Sequence, residues 1–140
     1  MSITLNPYLN FRGEAREAIA FYASVLGGEP RVTTFAEGGM AEHLPDDDGS
    51  LVMHGELSTP LGLTLMCSDA PSTMPVEVGN NVTVSLSGDD ADTLAAYWDG
   101  LSAGGNVTMP FEVAPWGDRF GMFTDRFGVE WMVNSVPPAA

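Results

Sequence analysis

His54 and Glu56 stand two residues apart in the stretch LVMHGELS (51–58). On a strand that spacing puts an imidazole and a carboxylate on one face. The pair could supply a general base with its orienting acid, or hold an anionic group, because imidazole titrates near neutrality. The same histidine could instead be a structural residue bonded across a sheet. A second group closes the chain, where DRFGVEWMVN (125–134) sets Glu130, Met132 and Asn134 at alternate positions around Trp131. A third lies in APWGDRFG (114–121): Trp116 could stack on a planar ligand and Arg119 could pair with a carboxylate or phosphate. A rim contact between Asp118 and Arg119, with a tight turn at Gly117, is the structural alternative. Cys67 alternates with Met66 and so points to the core. His43 sits in an acidic, glycine-rich loop, as a solvated residue or part of a lid. No Ser/His/Asp arrangement for nucleophilic catalysis is identifiable.

These residues are positioned by a duplicated set of elements. NPYLNFRGEAREAIAFYASVL (6–26) aligns without a gap on NVTVSLSGDDADTLAAYWDGL (81–101). Each copy reads as strand, turn and helix. Pro7, Leu9 and Phe11 alternate with Asn6, Tyr8 and Asn10, and Val82, Val84 and Leu86 alternate with Asn81, Thr83 and Ser85. The helix stripe Ala15, Ala18, Ile19, Tyr22 and Leu26 has the spacing of a core-facing side. HGELSTPLGLTLMCS (54–68) aligns in turn with FGMFTDRFGVEWMVN (120–134), each a hairpin with its turn before a glycine. RVTTFAE (31–37) and NVTMPFEV (106–113) supply one further strand per copy.

The expectation is an α+β chain: two βαβββ modules whose curved mixed sheets enclose a cleft. One domain, 1–140, contains the repeats at about 1–68 and 80–136, joined by the polar, proline-rich linker 69–79. Strand phase puts Tyr8, Asn10, Val52, His54, Glu56, Thr64 and Met66 on the cleft side of the first copy. Asn81, Thr83, Ser85, Glu130, Met132 and Asn134 take that side in the second. Met53, Gly55 and Leu57 should face the first helix, and Trp131 and Val133 the second. Trp98, beside Tyr97 on the second helix, could reach a dimer interface.

A net charge of −14, with only five Lys and Arg, excludes nucleic acid as a partner and argues against anionic membrane surfaces. No apolar run is long enough for a membrane span, and the start lacks a basic region followed by an apolar stretch. A lone cysteine requires no oxidising compartment, so the cytoplasm is the default location.

The βαβββ pair resembles the vicinal oxygen chelate superfamily, which includes glyoxalase I, bleomycin-resistance proteins and extradiol dioxygenases. NPYLNFRGEAREAIAFYASVLGG, MHGEL, LMCSD and WGDRFGMFTDRFGVEWMVN look like its PhnB-like branch. The resemblance implies a pocket, a homodimer in which it forms, and in metal-dependent members one His or Glu ligand on the first and last strand of each half. Here those four positions read Asn6, Met66, Asn81 and Met132, so no cofactor and no divalent metal is expected at the usual place. Three functions follow. The first is binding of a small organic ligand through Tyr8, Asn10, His54, Glu56, Met66, Asn81, Trp116, Arg119 and Met132. The second is a metal-dependent lyase or dioxygenase with rearranged ligands such as His54, Glu56 and Glu130. The third is a structural or regulatory dimer with a vestigial pocket. Whether any reaction is catalysed stays open, with His54 and Glu56 the candidates for it.

Overall fold

A computed structural model describes residues 2–137. The chain forms two units that divide between Glu77 and Val78. In the first, β1 (Tyr8–Phe11), β2 (Arg31–Thr34), β3 (Val52–Ser58) and β4 (Thr64–Asp69) make a sheet of order β1-β4-β3-β2 with α1 (Ala15–Leu26). In the second, β5 (Val84–Gly88), β6 (Asn106–Val113), β7 (Arg119–Thr124) and β8 (Glu130–Ser135) make a sheet of order β5-β8-β7-β6 with α2 (Ala91–Ser102). First and last strands of each unit run parallel and the other neighbours antiparallel. The α+β architecture of two βαβββ modules is the one the repeat implies.

Each helix buries its apolar stripe on one sheet face. Ala15, Ala18, Ile19, Tyr22 and Leu26 of α1 are buried, as are Leu57, Leu65 and Cys67 on the strands. On α2 the buried residues are Leu94, Tyr97, Trp98 and Leu101. Trp98 does not reach outward: its ring stacks on Phe111 and meets Phe123 edge-on, both at 5.0 Å between centroids. Trp131 is buried as expected, and its indole N–H donates to the Asp125 carboxylate at 2.8 Å.

The hairpin turns are built alike. Thr59 and Asp125 each donate their N–H across the turn, to Leu63 at 2.9 Å and to Val129 at 2.8 Å. Gly62 and Gly128 then take φ of 84° and 91°, which suits glycine alone. The helix starts differ. Asp90 caps α2 with its own side chain, accepting from Thr93, and these bonds hold its carboxyl below the usual range. α1 has no such cap. Asp69 at the end of β4 supplies one, accepting from Gly13 N at 2.8 Å and Ala15 N at 2.9 Å through Oδ1, and from Val52 N at 3.0 Å through Oδ2.

Three expectations change. β2 ends at Thr34, because Glu37 turns back: its carboxylate accepts from Thr34 N and its own N–H donates to Thr34 Oγ1. In β3 the partners Thr33↔His54 and Thr34↔Val52 leave Met53 as an extra, bulged residue. Val52 therefore joins Gly55 and Leu57 among the buried residues, while Met53 is half-buried and packs by Gly38. Lastly, the first strands begin at Tyr8 and Val84, so Asn6 and Asn81 lie ahead of them.

On the helix-covered face of each sheet, one strand glycine leaves no room for a Cβ. A Cβ at Gly55 would stand 2.9 Å from Cys67 Sγ; one at Gly121 would stand 2.7 Å from both the Trp98 ring and the Phe111 backbone. Gly55→Ala is expected to lower stability by about 1–3 kcal/mol, and Gly121→Ala by more, since backbone cannot yield as a thiol can. Urea unfolding midpoints of the two variants test the order.

Candidate functional site: the open sheet faces

Each helix covers one face of its sheet, so the other face carries the polar and half-buried side chains. In the first unit one row runs Tyr8, Met66, Glu56 and Arg31 across β1, β4, β3 and β2. The neighbouring positions hold Asn10 beside Ser68 and His54 beside Thr33. The Tyr8 phenol reaches over β4 to His54, with Oη 3.2 Å from Nδ1 and ring centroids 5.7 Å apart. With the phenol donating, Nδ1 accepts and Nε2 carries the remaining N–H as a donor. Tyr8 keeps 45% of its surface exposed. Sequence phase brings these residues to one face, but their direct bond was not legible, because it spans an intervening strand.

The second unit presents a row of different chemistry: Ser85, Met132, Met122 and Met109 on β5, β8, β7 and β6. On one side Thr124 Oγ1 donates to Glu130 at 3.0 Å. On the other lie Ser87, Asn134, Phe120 and Glu112, and Asn134 donates to Asp118 at 3.0 Å. Trp116, 62% exposed, sits edge-on to Phe120 at 5.8 Å. Met122 and Met109 had no signal in the repeat, since their counterparts in the first unit are not methionine.

Arg119 stands apart from this group. It pairs with Ser135 and Val113, its Nε donates to Phe111 O at 3.0 Å, and its guanidinium lies 4.1 Å above the Phe111 ring. These bonds turn it to the helix side of the sheet, away from the methionine row, and replace the supposed contact with Asp118. Asn81 is an exposed residue before β5, and Asn6 donates to Thr4. His43 is exposed in a short 3₁₀ turn, Ala41–His43.

The residues beside the two last-strand methionines are Tyr8 and Ser85, not the two asparagines. A phenol or hydroxymethyl next to a thioether offers no imidazole and no carboxylate, so this donor set does not fit Zn²⁺, Ni²⁺, Mn²⁺ or Fe²⁺. Among the described residues no three His, Cys, Asp or Glu side chains gather as a metal group. The first unit also has two hollows. One of about 590 Å³ is lined by Arg12, Gly13, Leu51, Ser72 and Met74, and no sequence motif marks it. It is mostly apolar and holds no general base. A smaller one of about 330 Å³ lies at Glu29, Arg31, Glu56 and Ser58. No helix among the described residues is long and apolar enough to cross a membrane.

Two βαβββ modules, each with one helix-covered and one open sheet face, define the class as the glyoxalase type of α+β fold. The model of the Glyoxalase/Bleomycin resistance protein/Dioxygenase superfamily matches residues 4–133, and the chain belongs to that superfamily. It is 32% identical over 143 residues to Protein YjdN of Escherichia coli (strain K12), across 94% of this chain and 95% of that one. Protein PA1353 from Pseudomonas aeruginosa superposes with a TM-score of 0.85 at 36% identity, covering 98% of this chain and 100% of the other. The PhnB protein from Bacillus cereus superposes with a TM-score of 0.74 at 20% identity, covering 96% and 100%.

Cys67 is no nucleophile on either open face. It is fully buried under α1, with Sγ 3.8 Å from Ala15 O. Burial, aided by the charge of Asp69, pushes its thiol from 9.0 up to about 11. The native thiol is therefore expected to resist alkylation at pH 8 and to react once urea unfolds the chain. A raised native value favours the folded state below the unfolded thiol's titration, and that contribution fades as pH climbs from 9.0 towards about 11. Alkaline unfolding midpoints of the parent and of Cys67→Ala should accordingly converge over this window.

Proposed function

We propose that the protein binds a small, planar organic molecule against one of its open sheet faces, without the divalent metal that other members of the superfamily use. The observation that carries this reading is the make-up of those faces: half-buried methionine, tyrosine, histidine and phenylalanine occupy positions that a helix would otherwise cover. Such side chains suit a ligand that is mainly apolar and aromatic. The contact residues of the first face are Tyr8, Asn10, His54, Glu56 and Met66; those of the second, considered separately, are Met132 and Trp116.

Charge narrows the ligand further. Glu112, Asp118 and Glu130 lie on or beside the second face, and Arg119 is turned off it. A neutral or cationic ring system suits that field better than a carboxylate does. On the first face, taken by itself, the Nε2–H of His54 suits a carbonyl or ether oxygen of a ligand held there. Homodimer formation and a cytoplasmic location belong to this reading as well, on the resemblance to the superfamily and the lone buried cysteine.

Thermal unfolding with a panel of planar aromatic cations, neutral aromatics and small acids tests the proposal. A ligand present at about 100 times its Kd should stabilise the protein by about 2.7 kcal/mol. Cationic or neutral aromatics are expected to raise the melting temperature and small acids to leave it unchanged. His54→Ala should weaken a hit held on the first face, and Trp116→Ala one held on the second, each about tenfold, in keeping with the loss of one hydrogen-bonded or aromatic contact. Unchanged affinity in both variants would refute the assignment. So would a stoichiometric divalent metal that survives dialysis against a chelator.

A further inference from the structure

The chain has eight methionines, and three of them fall in one register row. Met109 is the Cα partner of Met122, and Met122 of Met132, on β6, β7 and β8. The row continues to Ser85 on β5. Buried Phe123, Trp131 and Val133 point the other way, to α2, so these methionines are not core filler of the unit. Met122 and Met132 are half-buried and Met109 is 45% exposed. Met66, the repeat counterpart of Met132, has Tyr8 and Glu56 beside it instead, so the cluster is particular to the second unit.

We propose that Met109, Met122 and Met132 form a thioether site for one soft monovalent cation, Cu(I) or its redox-inert analogue Ag(I). Facing residues on neighbouring strands have Cβ atoms about 5 Å apart, so Met109 and Met132, on either side of Met122, stand about 10 Å apart. A methionine sulfur is reached from its Cβ by two rotatable bonds, which lets the two outer side chains lean in over Met122. With metal–sulfur distances of about 2.3 Å, as for thiolate on zinc, three sulfurs about 4 Å apart can share one ion. Neutral, polarisable thioethers prefer such an ion to Zn²⁺ or Mg²⁺, which keep oxygen and nitrogen ligands. The Ser85 hydroxyl stands next in the row as a fourth, weak donor. Glu130 and Glu112 in the flanking rows add negative potential that draws a cation without ligating it.

Thioethers do not titrate, so affinity should hold between about pH 7 and pH 5, where a site of His or Cys would lose it to protons. The test is titration of the full chain, carrying 13C-labelled methionine methyl groups, with Ag(I) as the nitrate. Saturation at one equivalent, with the methyl signals of Met109, Met122 and Met132 moving and the others still, is the expected result. Met122→Leu with Met132→Leu should weaken binding about tenfold or more, as changes around metal sites do, and Cys67→Ala should leave it unchanged. Met109→Leu, at an exposed position, gives the same reading without risk to folding. Undiminished binding in the leucine variants, loss of binding in Cys67→Ala, or no saturable binding would each overturn the site. Met109 is not among the organic-ligand contacts named above, so uptake of an organic ligand by Met109→Leu reports separately on the function proposed above.

Discussion

Asp69 holds the first unit together where the helix start meets the sheet. One carboxylate accepts three backbone N–H groups, two at the start of α1 and one at the start of β3, from the end of β4. Bonds to a charged acceptor contribute of order 1.5–3 kcal/mol each, and a buried N–H left without one costs a similar amount. The side chain thus ties helix, entering strand and exiting strand at one locus. It sets where α1 begins, and α1 in turn decides which sheet face is covered. The second unit solves the same problem locally: Asp90 caps its own helix, and Asp125 instead braces the hairpin turn and Trp131.

That difference explains what could and could not be read from the sequence. The βαβββ repeat, the helix stripes, the hairpins and the burial of Trp131 and Cys67 were legible, because period and turn chemistry are local properties. By composition Asp69 opens the linker 69–79; a lone acid after LMCS gives no hint that it reaches back to residues 13, 15 and 52. The bulge at Met53 was equally hidden. Alternation alone sends Val52 to the open face, and only pairing with β2 reveals the extra residue.

The candidate site divides in the same way. Strand phase brought Tyr8, His54, Glu56 and Met66 to one face, and Met132, Glu130 and Asn134 to another. Arg119 departed from expectation because a cation with an aromatic ring and a free carbonyl within reach satisfies itself on the helix side. The methionine row arises from three successive strands, two of them registered by an irregular pairing at β6. Periodicity within a segment carries no such information.

The ladders also show that the two halves are not superimposed copies of one design. Leu9 stands opposite Cys67, whereas Val84, its partner in the gapless alignment, stands opposite Trp131 rather than Val133. β5 is therefore displaced along β8 by one full pleat. Inside and outside are conserved under this displacement, so the fold tolerates it silently, yet the neighbour of each last-strand methionine is exchanged. The duplication thus preserves a shape while decoupling its chemistry. A substitution beside the last-strand methionine of one half has no equivalent in the other, and each face is free to acquire a ligand of its own.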